Sequence, residues 1–343
     1  MLENANSIES RKARWRAFFD MGSSTRHIYF VNYHEDFPAR PHLWREKKRE
    51  RIDWSWETYS RHMDQTEWLR DDRLPFLSNV TGTELFAEAF GCKVHRPPES
   101  NPCALPIIHS STEVSKMQIP SLDCEAISAT FEIADELHER SGGQALMGLP
   151  DIQSPMDISA LIWDKNSFYI ALIEEPAAVK ELSGKVFEFL TSFLDEWFSR
   201  YGTEYIAHYP SYYMNEGMTL SEDEIGAIDT TMFDEFFYEE LCELSVRYGG
   251  IGIHCCANAV HQWDNIKRIP DLRLLNLNVE SERATRYFEN HVPQWHTMPD
   301  EGTPTDRIGR ISGNAHGVIQ IGAENREQAV RFADEMWLAT GRN

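Results

Sequence analysis

The stretch Gly249-Gly-Ile-Gly-Ile-His-Cys-Cys-Ala-Asn-Ala259 combines a strand pattern with residue types that bind metals. Residues 251–253 are typical of a short buried strand that runs directly into His254, Cys255 and Cys256. Because side chains alternate along a strand, His254 and Cys256 point to one side and Cys255 points to the other. An imidazole and a thiolate that meet at one point form half of a tetrahedral zinc site. Buried cysteines and structural histidines produce the same pattern, so both interpretations stay open at this stage.

Outward from this strand, apolar runs of strand length alternate with helical patterns along the chain. This alternation is typical of βα units and a parallel sheet. Eight such runs are the number that closes a (β/α)8 barrel, and a chain of 343 residues is long enough for one. We therefore predict an α/β fold, a (β/α)8 TIM barrel with an N-terminal helical and irregular elaboration. The predicted strands are residues 27–33, 74–80, 144–149, 204–209, 251–254, 272–278, 292–297 and 316–321.

Three helices are predicted from apolar residues at helical spacing. The first begins at Pro176, a residue suited to the first helical turn, and ends before Gly202, which can cap it. The others span residues 230–247 and 326–340. Their apolar faces predict core packing, and we assign them no functional residues.

The chain is predicted to be a single barrel domain over residues 1–343. Residues 1–120 include the N-terminal elaboration, and residues 121–343 form the main barrel. Within the elaboration, residues 43–116 are rich in charge, proline and tryptophan and have few regular periods. We expect this region to cover the barrel mouth, where it can shield a substrate from water, although solvated surface helices would have a similar composition.

The composition restricts the partners of the chain. The formal net charge is −22 and the pI is near 5.0, so binding to nucleic acid or to an anionic membrane surface is not expected. The six cysteines lack the spacing of a disulfide framework, and the N-terminus lacks the apolar run of a signal peptide. No stretch approaches the apolar length of a membrane span. We therefore expect reduced thiols and a cytoplasmic location.

Polar residues follow most of the predicted strands. In a barrel of this kind the active site lies at the carboxyl ends of the strands, so these residues are its candidates. Random loop composition would produce part of the same pattern. The candidate catalytic residues are Asp151, Asp223 and Tyr209, and the candidate substrate-binding residues are Asn32, Tyr33 and Glu324.

Two acidic residues bear on the metal hypothesis, and each also has an ordinary explanation. Glu280 follows the strand that comes after the His254 strand, and consecutive barrel strands are neighbours, so its carboxylate can reach the same metal. It can equally begin the next helix, where acids favour the helix dipole. Asp223 lies in an acidic stretch ahead of a predicted helix, where capping is the commoner role.

Several segments, taken in order, resemble the uroporphyrinogen decarboxylase superfamily from about residue 70 onward. Members of that superfamily commonly read His-x-Cys-Gly-Asn where this chain reads His254-Cys-Cys-Ala-Asn258. The resemblance implies a (β/α)8 barrel with the site in a cleft at the carboxyl ends of the strands. The segments that carry it are Leu74-Pro-Phe-Leu77, Gly82-Thr83, Ala89-Phe-Gly-Cys92, Glu175-Pro-Ala-Ala-Val179, Thr231-Met-Phe-Asp-Glu-Phe-Phe237 and Gly252-Ile-His-Cys-Cys-Ala-Asn258.

The superfamily contains two chemistries. One branch decarboxylates a porphyrinogen without metal and holds its carboxylates with an N-terminal motif of the form Arg-Gln-Ala-Gly-Arg. The matching residues here, 15–26, lack that motif and its guanidinium partners for carboxylates. The other branch comprises zinc-dependent methyltransferases, which hold zinc with His-x-Cys and a later Cys. The absence of the arginine motif favours this second branch.

The resemblance to the methyltransferase branch implies zinc as the cofactor and His254, Cys256 and Glu280 as its ligands. The zinc would lower the pKa of a substrate thiol and so create a nucleophile. The third ligand departs from the family, because Ala323 occupies the position of the later Cys and no cysteine follows Cys256. Either Glu280 or Glu324 completes the site together with water, or the metal has been lost.

The predicted function is therefore a zinc-dependent methyltransferase that acts on a small molecule with a corrinoid protein or a thiol acceptor. One alternative is a metal-free decarboxylase or lyase on a small carboxylic acid, with Asp151 or Asp223 as the acid–base group. Another is a non-catalytic ligand-binding barrel. The sequence leaves open the identity of the substrate and whether the protein is a homodimer.

Overall fold

The computed structural model describes residues 5–33, 37–79, 81–297, 302–311 and 313–342. The strands in these ranges are β1 (His27–Asn32), β2 (Phe76–Ser78), β3 (Lys93–His95), β4 (Cys103–Leu105), β5 (Leu146–Gly148), β6 (Tyr205–Ile206), β7 (Tyr213–Met214), β8 (Met218–Ser221), β9 (Ile251–Cys255), β10 (Leu272–Leu277) and β11 (Gly317–Gly322). The α-helices are α1 (Ile8–Phe19), α2 (Lys48–Trp68), α3 (Leu85–Ala89), α4 (Ser111–Val114), α5 (Glu125–Arg140), α6 (Pro155–Ile162), α7 (Lys165–Glu174), α8 (Pro176–Tyr201), α9 (Thr230–Phe236), α10 (Tyr238–Tyr248), α11 (Trp263–Lys267), α12 (Ser281–Tyr287), α13 (Pro304–Arg310) and α14 (Arg326–Ala339).

Most strands belong to one run of parallel pairings. β2 pairs with β5, the chain beyond β5 bridges at Gln153 to Ser221 of β8, and β8 pairs with β9. β9 pairs with β10, Gln294 bridges β10 to β11, and β11 pairs with β1. Among the described residues no ladder joins β1 to β2, and the Asp72 N–H donates instead to the Tyr29 carbonyl at 3.0 Å. Because every pairing in this run is parallel, the carboxyl ends of its strands lie along one edge.

The predicted α/β class with a parallel sheet is confirmed. Each predicted strand is present except residues 292–297, which contribute only the bridge residue Gln294. The strand prediction also missed β8, although β8 is the parallel neighbour of β9. The predicted strand 204–209 is reduced to the two residues of β6, which pairs in antiparallel fashion with β7. The sequence around β8 is acidic, a pattern that also fits the approach to a helix.

The helix predictions are confirmed at α8 and α14. α8 ends at Gly202, whose φ of 84° is one that glycine adopts without strain. The prediction of one helix over 230–247 is wrong, because the chain forms α9 and α10 with Phe237 between them. Residues 48–68, which lie within the predicted helical and irregular elaboration, form the 21-residue helix α2. The assignment of residues 1–120 as a cover of the barrel mouth stays a prediction.

The largest helix, α8, packs its apolar face into an aromatic core. Phe193 of α8 lies edge-on to Phe86 of α3, with ring centroids 5.2 Å apart, and Trp197 packs on Phe131 of α5. Edge-on aromatic pairs bury large surfaces in a preferred geometry, which holds these helices together. Within the described ranges no helix is long and apolar enough to cross a membrane.

Candidate metal centre

Three potential metal ligands converge where β8 and β9 end. His254 lies in β9, Cys256 follows the last residue of β9, and Asp223 lies two residues beyond β8. The parallel register aligns Ser221 with His254, so the chain leaving β8 passes beside the chain leaving β9. One ligand atom from each of the three side chains lies within 4.8 Å of the other two.

Cys256 and Asp223 are joined by two hydrogen bonds. The Cys256 Sγ–H donates to Asp223 Oδ2 at 2.9 Å, and the Cys256 N–H donates to Asp223 Oδ1 at 2.6 Å. Cys255 is fully buried on the opposite side, and its thiol donates weakly to the Ala257 carbonyl at 3.7 Å. The two cysteines therefore face opposite ways, as strand alternation predicts.

The thiol of Cys256 is protonated when no cation is bound. Burial raises its pKa to about 12, and the hydrogen bond to the Asp223 carboxylate contributes to this rise. A thiol must lose its proton to bind a metal, so coordination by Cys256 releases one proton. Metal binding at this site is therefore expected to strengthen as the pH rises.

The imidazole of His254 is oriented by neighbouring polar groups. Its Nδ1 lies 2.5 Å from Asn276 Oδ1, and Asn276 Nδ2 donates to the Trp295 carbonyl, which fixes the direction of the amide. Nδ1 therefore carries the hydrogen, and Nε2 keeps the lone pair that a metal requires. The edge-on ring of Tyr209 packs against the imidazole with centroids 4.7 Å apart. This support is typical of metal-binding histidines.

A buried pair of acids positions Asp223 from behind. Asp157, in the first turn of α6, accepts the backbone N–H of Asp223 at 2.7 Å and that of Glu224 at 3.0 Å. The N–H of Glu222 donates to the His254 carbonyl at 2.8 Å, which ties the same loop to β9. Burial raises the pKa of the Glu222 carboxyl well above its ordinary range, and Asp157 raises it further. Burial therefore favours the neutral form of Glu222, and Asp157 accepts the two backbone N–H groups that hold the loop.

The three side chains fit a zinc ion. They offer one nitrogen, one sulfur and one oxygen donor, and catalytic zinc sites combine three such protein ligands with an open position. Thiolate and imidazole donors do not suit Mg²⁺ or Ca²⁺, which prefer oxygen. Asp223, His254 and Cys256 are therefore the residues that would hold zinc in this chain.

A second ionisable pair lies nearby. Asp151 Oδ2 is 3.4 Å from His208 Nε2, and the Asp151 N–H donates to Thr81 Oγ1 at 2.8 Å. Burial raises the pKa of Asp151 and lowers that of His208, with each group opposing the shift of the other. The two pKa values thus move towards each other, which is the direction that favours exchange of a proton between neighbouring groups.

A cavity of about 670 Å³ adjoins these groups. Tyr209 and Asn276 line it, and both contact His254, so the cavity reaches the imidazole through its two neighbours. Asn32, a predicted substrate-binding residue, lines the same cavity, and half of the Tyr209 side chain is exposed. The space is large enough for a small organic molecule.

The other predicted site residues lie outside the three converging ligands and the cavity lining. Glu280 is exposed and precedes α12 in left-handed backbone with a φ of 58°, and the acid beside His254 and Cys256 is Asp223. Tyr33 packs on the Trp68 ring at 5.9 Å, and the side chain of Glu324 is exposed.

Several residues that shape the site were not predicted from the sequence. Three of them contact the predicted residues only through tertiary structure. His208 and Glu222 had a local signal, because they directly precede the predicted residues Tyr209 and Asp223. The residues that were not predicted are Thr81, Asp157, His208, Glu222 and Asn276.

Comparison with solved structures identifies a protein of the same architecture. A methyltransferase from Methanosarcina mazei matches 96% of this chain and 98% of its own length, with a TM-score of 0.65 and 10% sequence identity. The two chains share a fold. The apo homocysteine methyltransferase MmuM from Escherichia coli also matches, over 68% of this chain and 96% of its own at 11% identity, but its TM-score of 0.23 is too low to bear on the fold. No protein-family model matches the sequence, and no curated protein sequence matches it.

Proposed function

We propose that this chain is a zinc-dependent methyltransferase that transfers a methyl group to a thiol acceptor, with a corrinoid protein as the methyl donor. The observation that carries the proposal is the convergence of Asp223, His254 and Cys256 within 4.8 Å beside a cavity of about 670 Å³. The fold shared with the methyltransferase from Methanosarcina mazei supports it. We also propose that the parallel run closes between β1 and β2 into the (β/α)8 barrel that the resemblance to the uroporphyrinogen decarboxylase superfamily implies.

Each residue of the site has a role in this proposal. A bound zinc ion supplies a Lewis acid that lowers the pKa of an acceptor thiol and keeps it nucleophilic at neutral pH. Asp223, His254 and Cys256 bind the ion, and Asn276 orients His254. Tyr209 forms the cavity wall beside the imidazole and packs edge-on against it. Asp151 and His208 accept the proton that the acceptor thiol gives up.

One observation favours a second function. The buried Asp151 lies beside the partly exposed His208, and their pKa values move towards each other, an arrangement that suits general acid–base catalysis. A metal-free carboxy-lyase acting on a small carboxylic acid would use this pair to deliver a proton. In that case metal removal would leave activity intact.

Methyl transfer from methylcobalamin to dithiothreitol tests the proposal. The methyl group leaves cobalt and bonds to sulfur, the cobalt keeps the electron pair of the broken bond, and the thiol proton passes to the protein or to water. We expect zinc-loaded wild-type protein to accelerate the loss of methylcobalamin absorbance and the Cys256→Ala variant to return it to the uncatalysed rate. Equal rates for the two proteins would contradict the proposal.

A further inference from the structure

The large cavity has an unusual charge for this chain. Its lining includes Arg73 and Arg307, and no aspartate or glutamate lies among the described residues that line it. The whole chain carries 55 acidic residues against 33 lysines and arginines. The formal charges in the described part of the lining are therefore positive, although the chain as a whole is acidic.

Arg73 is a cation without a carboxylate partner in the described chain. Its Nη2 donates to the neutral Asn32 Oδ1 at 2.5 Å, and its guanidinium lies over the Phe30 ring, 4.9 Å from the centroid. Asp71 acts on Arg73 through its charge, but its carboxylate is paired with the guanidinium of Arg11 at 2.5 Å and accepts the backbone N–H of Val31 at 3.2 Å. Arg73 itself lines the cavity, and no described carboxylate forms a salt bridge with its guanidinium.

An arginine in this position is costly unless a ligand pairs with it. Removing a guanidinium from bulk water disfavours the fold, and an opposite charge with matching hydrogen bonds offsets that cost. The planar fork of arginine suits the paired oxygens of a carboxylate or a phosphate. Arg307 lines the same cavity and donates to the Gln320 carbonyl.

The rest of the cavity fits an organic body attached to that anion. Phe30 and Trp295 meet edge-on with centroids 5.2 Å apart, and Val318 lies beside them in the lining. The Trp295 carbonyl accepts from Asn276, and Asn276 and Tyr209 both contact His254, so the contacts continue from the apolar wall to the imidazole. A ligand held at Arg73 therefore has apolar walls along its length and the metal centre beyond them.

We propose that this cavity binds an organic oxyanion, a compound with a carboxylate or phosphate at one end and an apolar body, and that Arg73 pairs with the oxyanion. We further assign this compound as the small-molecule substrate, and this assignment rests on the proposed function. The binding site itself does not depend on it. Arg73 would then set the specificity of the site for anionic over neutral substrates.

Calorimetric titration with three probes tests the proposal. Benzoate carries a carboxylate, phenyl phosphate carries a phosphate, and benzamide is the neutral analogue of benzoate. We expect saturable binding of at least one anion, at least about tenfold tighter than benzamide, because a charge-assisted pair is worth more than a neutral hydrogen bond. The tighter anion identifies the oxyanion that the site prefers. Absence of anion binding, or equal binding of benzoate and benzamide, would overturn the proposal.

Two variants locate the binding at Arg73. Arg73→Met should weaken the preferred anion at least about tenfold, whereas Arg331→Met, which removes an exposed arginine of α14, should leave it unchanged. Asn32→Asp places a carboxylate at the atom that already accepts from Arg73, so it should occupy the guanidinium and abolish anion binding without removing a side chain. Unchanged anion binding in a folded Asn32→Asp protein, checked by circular dichroism, would contradict the assignment to Arg73.

The anion site and the metal site are separable by experiment. Cys256→Ala should lose zinc and retain anion binding, and Arg73→Met should retain zinc and lose anion binding. Anion binding in a wild-type protein that binds no zinc would refute the proposed function and leave the anion site standing. Zinc binding without anion binding would refute the anion site and leave the proposed function standing.

Discussion

The metal centre and the cavity beside it differ in charge. Around Asp223, two buried acids, Asp157 and Glu222, pack behind the loop that carries the potential ligands. Around Arg73, the described lining of the cavity contains no carboxylate at all. One end of the site is therefore built for a cation and the other for an anion. A strongly acidic chain can therefore still form a local anion site. The charge at one place depends on which side chains are buried and paired there, and the net charge of the chain does not determine it.

The largest expected effect is on zinc affinity and comes from removing the carboxylate of Asp223. Asp223→Asn removes a negative charge and an oxygen donor, so zinc affinity should fall by at least about a hundredfold, the upper range for losing a supporting group. Competition with a chromogenic chelator measures this affinity. The control is Glu216→Gln, an acid that pairs with Arg273 instead of joining the three ligands. A change of only a few fold in Asp223→Asn would remove the carboxylate from the metal shell.

The pH dependence of zinc binding should be nearly as large. Because the Cys256 pKa is raised to about 12, its thiol is protonated throughout the neutral range in the metal-free protein. Binding releases that proton, so affinity should rise about tenfold per pH unit between about pH 6 and pH 8. The same competition titration, repeated across this range, gives the slope. Affinity that stays flat with pH would exclude coordination by this thiol.

A smaller effect on zinc affinity is expected from Asp157, the buried acid that holds the loop carrying Asp223. Asp157 accepts two backbone N–H groups, and in Asp157→Asn the amide would present a donor to one of them. Zinc affinity should fall by about 10- to 100-fold through displacement of Asp223. Retained circular dichroism would show that the fold survives. Unchanged affinity in a folded variant would mean that Asp157 supports the fold and does not position the ligand.

The smallest effect separates binding of the metal from transfer of protons. Asp151→Asn should change zinc affinity by no more than about threefold, because Asp151 acts on the metal only through its charge at a distance. It should nevertheless lower the rate of methyl transfer from methylcobalamin. A loss of zinc as large as that of Asp223→Asn would make Asp151 a ligand.

Local patterns were enough to predict half of the site. Alternation along β9 places His254 and Cys256 on one side and Cys255 on the other, and this needs no knowledge of the rest of the chain. The spacing of apolar residues likewise predicted the parallel sheet and the long helix α8. These features depend on residues close together in sequence.

The other half depends on contacts that sequence spacing does not reveal. β8 has four residues and is followed by acids, a pattern as typical of a helix start as of a strand. Its pairing with β9 spans more than thirty residues and brings Asp223 to Cys256 in place of Glu280. Arg73 likewise reaches Asn32 only through the packing of the chain before β2 on β1.

Metal content per chain, measured by elemental analysis on protein purified without an affinity tag or chelator, tests the metal centre most directly. We predict about one zinc ion per chain, lost in Cys256→Ala and retained in Cys255→Ala, since only the first thiol faces Asp223. A wild-type protein that stays free of zinc after incubation with the metal, or equal loss from both variants, would contradict a zinc site built from Asp223, His254 and Cys256.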